Sequence, residues 1–189
     1  MYLKIVLIGP CRSGKTVIAN FLSDCSDSVS GEYRPTQGVR IVEFETQNLN
    51  MSSRGLKAEV ELWDCSGDTK FEPLWPAMYK DAHGIVFVYD PSLPGVASEL
   101  DNYFEAFINE SGNLSLTNTK NWLVIKHTKN NDSTNTTLSN NFAKISQVTA
   151  NVEENGQKLR SDFSNYLAGL VVGVRDRNEQ DELNILTVI

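Results

Sequence analysis

Gly9-Pro10-Cys11-Arg12-Ser13-Gly14-Lys15-Thr16 satisfies G-x-x-x-x-G-K-[ST], a spacing whose chemistry is phosphate binding. The glycines let successive backbone N–H groups turn inward, forming a nest of donors at the start of a helix, where the aligned peptide dipoles add partial positive charge. Lys15 brings a point charge to the outer phosphates, and the Thr16 hydroxyl is an oxygen ligand for Mg²⁺. A glycine turn that merely caps a helix would need neither Lys15 nor Thr16. Gly9, Cys11, Arg12, Ser13, Gly14, Lys15, Thr16 and Val17 are therefore expected around the phosphates of a nucleotide.

Asp64-Cys65-Ser66-Gly67 closes a run that alternates apolar and polar residues, so its carboxylate should emerge at the end of a strand. At the carboxyl edge of an open α/β sheet, Asp64 can hold Mg²⁺ through a water and the Gly67 N–H can reach a terminal phosphate. Tyr33-Arg34-Pro35-Thr36 lies between the two motifs. Its Thr36 hydroxyl can complete the metal shell when a γ-phosphate is present, which lets a loop sense nucleotide state; the plainer reading is a proline-stabilised turn. The expected metal set is Thr16, Thr36 and Asp64. His83 and His127 sit beside strand residues and are read as structural, Cys25 and Cys65 as small buried hydrophobes, and Glu153-Glu154 as the acidic first turn of a helix.

These groups need a scaffold, and the hydrophobic pattern supplies one. Tyr2 to Ile8 reads as a strand that ends at Gly9, and Thr16 to Leu22 has helical spacing. Val39 to Phe44 and Ala58 to Trp63 alternate as an antiparallel hairpin around a Ser/Asn/Gly-rich turn near 48–55. Gly84 to Tyr89 and Trp122 to Ile125 are unbroken apolar runs, the mark of strands buried on both faces of a parallel sheet. Helical spacing returns around Leu100 to Ile108 and again from Leu159 to Val171. The pattern predicts one doubly wound α/β domain over residues 1–172, a mostly parallel sheet with one antiparallel edge strand and helices on both faces. Residues 173–189 are read as a tail, either a frayed end or a partner-docking peptide, and the frayed end is favoured.

Composition excludes several classes. The formal net charge of −7 disfavours a nucleic-acid footprint or an anionic-membrane patch, because both need a basic surplus. Three cysteines without a C-x-x-C pair favour neither a disulfide framework nor a zinc knuckle, and a reducing compartment fits. No run approaches the roughly 20 apolar residues of a membrane span. No cysteine lies near Ile189, so no prenyl anchor is expected, and the isolated chain is expected to be a monomer.

With the three motifs in this order, residues 2–172 resemble a Ras-superfamily small GTPase of the P-loop NTPase class, a resemblance that implies a six-stranded sheet. The runs GPCRSGKTVIANFL, YRPTQGVRIVEFE and ELWDCSGDTKFEPLWPAMYKDAHG are similar to the divergent Rab-like branch that serves intraflagellar transport. That resemblance implies GTP or GDP with Mg²⁺ as ligands and membership of intraflagellar transport complex B. It further implies the coiled-coil subunits 74 and 81 as partners, and a cytoplasmic location that includes the cilium or flagellum and its base.

The same comparison marks departures from an active GTPase. Asp68 stands where the water-orienting glutamine follows D-x-x-G, and Cys11 where Ras has a phosphate-loop glycine. A carboxylate near anionic phosphate and a side chain in the path of an arginine finger both argue for weak or absent hydrolysis, so no catalytic residue is assigned. In place of N-K-x-D stands Thr128-Lys129-Asn130-Asn131-Asp132. Lys129, Asn131 and Asp132 are the candidate base contacts, together with the Ala150 N–H of Thr149-Ala150-Asn151. Of the aromatic triad read by Rab effectors only Trp63 remains, with Ile41 and Met78 at the other places. Phe71, Leu74, Trp75 and Pro76 are as readily interface anchors as packing. The alternative function is a cycling switch whose effector binding follows nucleotide state. A P-loop nucleotide kinase is disfavoured by the scarcity of arginines for an acceptor lid.

Overall fold

The computed structural model describes residues 1–25, 33–49, 56–109, 112, 116–128 and 136–187. Six strands, β1 (Tyr2–Ile8), β2 (Val39–Leu49), β3 (Leu56–Cys65), β4 (Gly84–Tyr89), β5 (Trp122–His127) and β6 (Ser146–Ala150), form one sheet in the order β2-β3-β1-β4-β5-β6. Only β2 and β3 pair antiparallel; all other neighbours are parallel.

Side chains alternate across the sheet with the two-residue period of a strand. On one face Leu3, Ile5 and Leu7 of β1, Val86 and Val88 of β4, and Leu123 and Ile125 of β5 meet α1 (Lys15–Leu22) and α4 (Val152–Thr187). On the other, Val6 and Ile8, Ile85 and Phe87, and Trp122 and Val124 meet α2 (Trp75–Tyr79) and α3 (Val96–Phe104). Burying both faces is what the unbroken apolar runs foretell. It also brings the carboxyl ends of β1, β3, β4 and β5 to one edge.

Several elements differ from their sequence-based extents. The third helix starts at Val96 rather than Leu100 and passes into a wider π-type turn over Glu105–Asn109. Strand β6 has one buried residue in five, Ala150, so it carries no apolar run to announce it. The last helix begins at Val152, where the Asn151 carboxamide oxygen accepts the N–H groups of Glu153 and Glu154 at 3.1 and 3.3 Å, as an N-cap does. Asn155 leaves helical geometry (φ −136°, ψ 34°), and Gly156 next to it leaves room for the Phe21 ring. Arg160 lies over that ring, donates to the Phe21 carbonyl at 2.7 Å and pairs with Asp24. The helix then crosses position 172 without a break and is helical to Thr187. Arg175–Glu179 at 3.9 Å and a Gln180–Asn184 bond at 3.2 Å, both spaced i,i+4, line that stretch, the local support a solvated helix uses. Among the described residues no helix is long and apolar enough to cross a membrane.

Tyr166 of α4 shows how tightly the helix layer is seated. Its hydroxyl donates to the Asn121 carbonyl at 2.8 Å and stands where a β-carbon on Gly84 would come within 2.2 Å. Gly84→Val should therefore lower the unfolding free energy by about 1–3 kcal/mol, read as a lower urea midpoint at unchanged slope.

Candidate nucleotide-binding site

The loop from β1 into α1 is shaped by what surrounds it. Gly9 (φ 144°) lies against β4 so closely that a β-carbon would stand 2.0 Å from the Val88 carbonyl oxygen, which leaves no alternative to glycine. Arg12 (φ 63°) takes the left-handed region, and the Ser13 N–H closes a turn onto the Pro10 carbonyl at 3.3 Å. Gly14 (φ 93°) caps α1. Lys15 is buried, with Nζ donating to the Gly9 and Pro10 carbonyls, each at 2.7 Å, and to Ser13 Oγ at 3.4 Å. Burial brings its pKa down to about 8, opposed by the nearby Asp64 charge.

Asp64, at the end of β3, is fully buried. Its Oδ2 accepts from the Thr16 hydroxyl at 2.7 Å, and Thr16 Oγ1 lies 3.1 Å from Thr36 Oγ1. The three predicted metal ligands, drawn from α1, the loop before β2 and β3, therefore converge. Arg40 Nε approaches Asp64 Oδ2 at 3.8 Å. Burial raises the Asp64 carboxyl above the usual range, against the Thr16 bond and the Lys15 charge. Asp64 Oδ1 has no hydrogen-bond partner among the described residues. An orphaned carboxylate oxygen beside two hydroxyls is a hard-oxygen set that suits Mg²⁺. No group of three or more His, Cys, Asp or Glu side chains among the described residues could hold a metal alone, so a cation here would draw further oxygens from phosphate and water.

Arg12, Lys15, Thr16, Tyr33, Thr36 and Gly67 are among the residues around a cavity of about 450 Å³; Ser13, Gly14 and Val17 also line it. Arg12 lies over the Tyr33 ring at 5.5 Å. Gly67 packs on the phosphate loop, where a β-carbon would come within 2.4 Å of the Cys11 amide nitrogen, and its carbonyl accepts from the Tyr103 hydroxyl at 3.3 Å. Cys11 itself is exposed. Ala150 is buried at the end of β6, and its carbonyl accepts the Thr128 N–H at 2.9 Å. Lys129, Asn131 and Asp132, the expected base contacts, lie outside the described residues.

Asp68 has a task that its position after Gly67 does not reveal. It caps the 3₁₀ turn Thr69–Leu74: its carboxylate accepts the Lys70 N–H at 3.0 Å and pairs with Lys70 Nζ at 3.0 Å. These bonds hold its pKa below the usual carboxylate range. Met78 is buried in the core, so it is absent from the surface that Ile41 helps to form. Trp75 packs against Tyr103 and Phe107 at 5.1 and 5.3 Å, whereas Leu74 is exposed. His83 Nδ1 accepts the Lys4 N–H at 3.0 Å, a structural bond as expected. His127 is different, since its ring reaches the phosphate loop. The available signal was its place at the end of a strand running parallel to β1.

Comparison with known proteins follows the same lines. The family model "Ras of Complex, Roc, domain of DAPkinase" matches residues 4–130. The intraflagellar transport protein 22 homolog of Danio rerio is 39% identical over 187 residues, 97% of this chain and 98% of that protein. The chain belongs to the intraflagellar transport protein 22 family. The Homo sapiens homolog is likewise 39% identical over 186 residues, covering 97% of this chain and 98% of its own. The fold of this family member is similar to GDP-bound T. brucei IFT22, with TM-score 0.67, 22% identity, and 91% and 97% of the two chains covered. It is also similar to a chain of the T. brucei IFT22/74/81 GTP-bound crystal structure, with TM-score 0.65, 23% identity, and 92% and 99% covered.

The buried Asp64 carboxylate separates function from stability. Asp64→Asn should melt, without nucleotide at pH 7, at a temperature no lower than the parent chain, yet lose the extra thermal protection that Mg²⁺ adds in the presence of GDP. Paired thermal melts with and without Mg²⁺ read both effects.

Proposed function

We propose that this intraflagellar transport protein 22 family member binds GTP and GDP with Mg²⁺, turns GTP over slowly, and acts as a subunit of intraflagellar transport complex B. The observation that carries the reading is the convergence of Lys15, Thr16 and Thr36 on the cavity beside the phosphate loop, with the buried Asp64 carboxylate bonded to Thr16 behind them. In this reading the backbone N–H groups of residues 11–16 bind the phosphates, Lys15 leaves its loop carbonyls for phosphate oxygens, and Thr16 and Thr36, with Asp64 acting through water, hold Mg²⁺. The cation, when bound, neutralises charge on the terminal phosphates. Because Thr36 belongs to the loop before β2, its engagement would order that loop only when the outer phosphate is present.

Slow turnover follows from two side chains. The Asp68 carboxylate is bonded to Lys70 and has no N–H with which to orient water, and Cys11 puts a side chain where Ras has a phosphate-loop glycine, which would obstruct an incoming arginine finger. Partnership with subunits 74 and 81 is supported by the T. brucei complex that bears those names. We place its action at the cilium or flagellum and its base, from a cytoplasmic pool, a reading supported by the family's name. Lys129, Asn131, Asp132 and the Ala150 N–H remain the proposed contacts to guanine.

Calorimetry of GTP, GDP and ATP with Mg²⁺ tests the reading. Guanine nucleotides should bind more than tenfold tighter than ATP, and ATP within tenfold of GTP would remove the guanine assignment. In single-turnover assays the parent chain should hydrolyse GTP very slowly. The double variant Asp68→Gln with Cys11→Gly should be at least about tenfold faster, with a lower melting temperature from the lost cap.

A further inference from the structure

His127 closes β5 at the same sheet edge at which β1 enters the phosphate loop. It is 4% exposed, and its Nδ1 lies 3.2 Å from the Ser13 carbonyl oxygen. A carbonyl oxygen can only accept, so Nδ1 carries the proton in this contact. The ring also takes the space beside the next residue, since a β-carbon on Gly14 would lie 2.1 Å from Nδ1 and 2.5 Å from Cε1. The backbone of His127 is fixed in turn: it pairs in register with Ala150 of β6, and the following Thr128 N–H is bonded to the Ala150 carbonyl at 2.9 Å.

The consequence lies in the peptide that joins Ser13 to Gly14. It is planar and trans, so the Ser13 carbonyl and the Gly14 N–H point in opposite directions, and no peptide bond among the described residues is cis. Holding the carbonyl against the imidazole turns the Gly14 N–H away from β5, toward the hollow that Ser13, Gly14 and Lys15 line. We infer that His127 is a positioning residue of the nucleotide site, which aims the Gly14 N–H at phosphate by clamping the other end of the same peptide. It touches neither phosphate nor metal and acts through the loop alone. This assignment rests on the nucleotide-binding reading above.

Two variants of the full chain test it. In His127→Asn the amide nitrogen stands two bonds from Cβ, as Nδ1 does in histidine, so a donor to the Ser13 carbonyl is kept. In His127→Leu the bulk is kept and the donor lost. GDP affinity with Mg²⁺ is measured by calorimetry and GDP release with a fluorescent analogue, alongside melting temperatures without nucleotide. His127→Leu should weaken GDP binding on the order of tenfold, the net worth of one well-placed hydrogen bond, with faster release. His127→Asn should stay within about threefold of the parent chain by the same reckoning. A role limited to packing would lower melting temperatures without separating the two variants in affinity. Parent-like GDP affinity in His127→Leu, or an equal loss in both variants, overturns the assignment. If His127→Leu does not fold, His127→Ala takes its place in the same comparison. A parent chain that binds neither GDP nor GTP would instead sink the nucleotide reading, and this inference with it.

Discussion

Between Ile8 and Lys15 the backbone passes through positive φ at Gly9, Arg12 and Gly14, a path a short peptide would not hold in water. Its only non-glycine member, Arg12, takes a conformation that costs on the order of 1–2 kcal/mol. The loop keeps its shape because walls from four other elements confine it: the Val88 carbonyl of β4, the His127 ring of β5, Gly67 after β3, and the first turn of α1. A donor nest is useful only if its N–H groups already point inward before a ligand arrives, since reorganisation after binding would consume affinity. The rest of the fold can be read as the support for this one stretch.

Charge placement follows from the same enclosure. Lys15 and Asp64 are both buried, and burial pushes the two toward neutrality from opposite sides, lowering one pKa and raising the other. Carbonyls of the loop satisfy the ammonium, while the carboxylate keeps one oxygen without a donor among the described residues. Such a site is tense by itself and complementary to a ligand that brings both negative phosphate and a divalent cation. Stability and binding therefore compete at Asp64, a common feature of functional sites.

Around this core the switch-like segments have been turned to structural ends. Asp68 caps a turn instead of facing the cavity, Trp75 stacks on Tyr103 and Phe107, and Met78 lies in the core. Tyr103 of α3 holds the Gly67 carbonyl and also contacts Trp75, so the segment after β3 is tied to α3 at both ends. A segment packed in this way fits the slow turnover proposed above, because its residue after Gly67 is bonded within its own turn.

The phosphate motif, the strand-loop-helix around it and the buried central strands were legible in the amino-acid order because they rest on local rules. Glycine spacing sets backbone turns, and two-residue or 3.6-residue periods set which face is apolar. Even the metal trio Thr16, Thr36 and Asp64 could be proposed from motif order, though the 2.7 and 3.1 Å contacts among them arise only when β3 lies beside β1. Strand β6 escaped notice because an edge strand with a solvated face has no apolar run. The helical stretch from 173 to 187 is charged, and its i,i+4 pairing matters only once α4 has already been started and anchored against the sheet. The reach of His127 to the Ser13 carbonyl, across 114 positions of sequence, was decided by tertiary structure, because parallel strand pairing brings the ends of β1 and β5 to the same edge and the sequence shows only that His127 ends a strand.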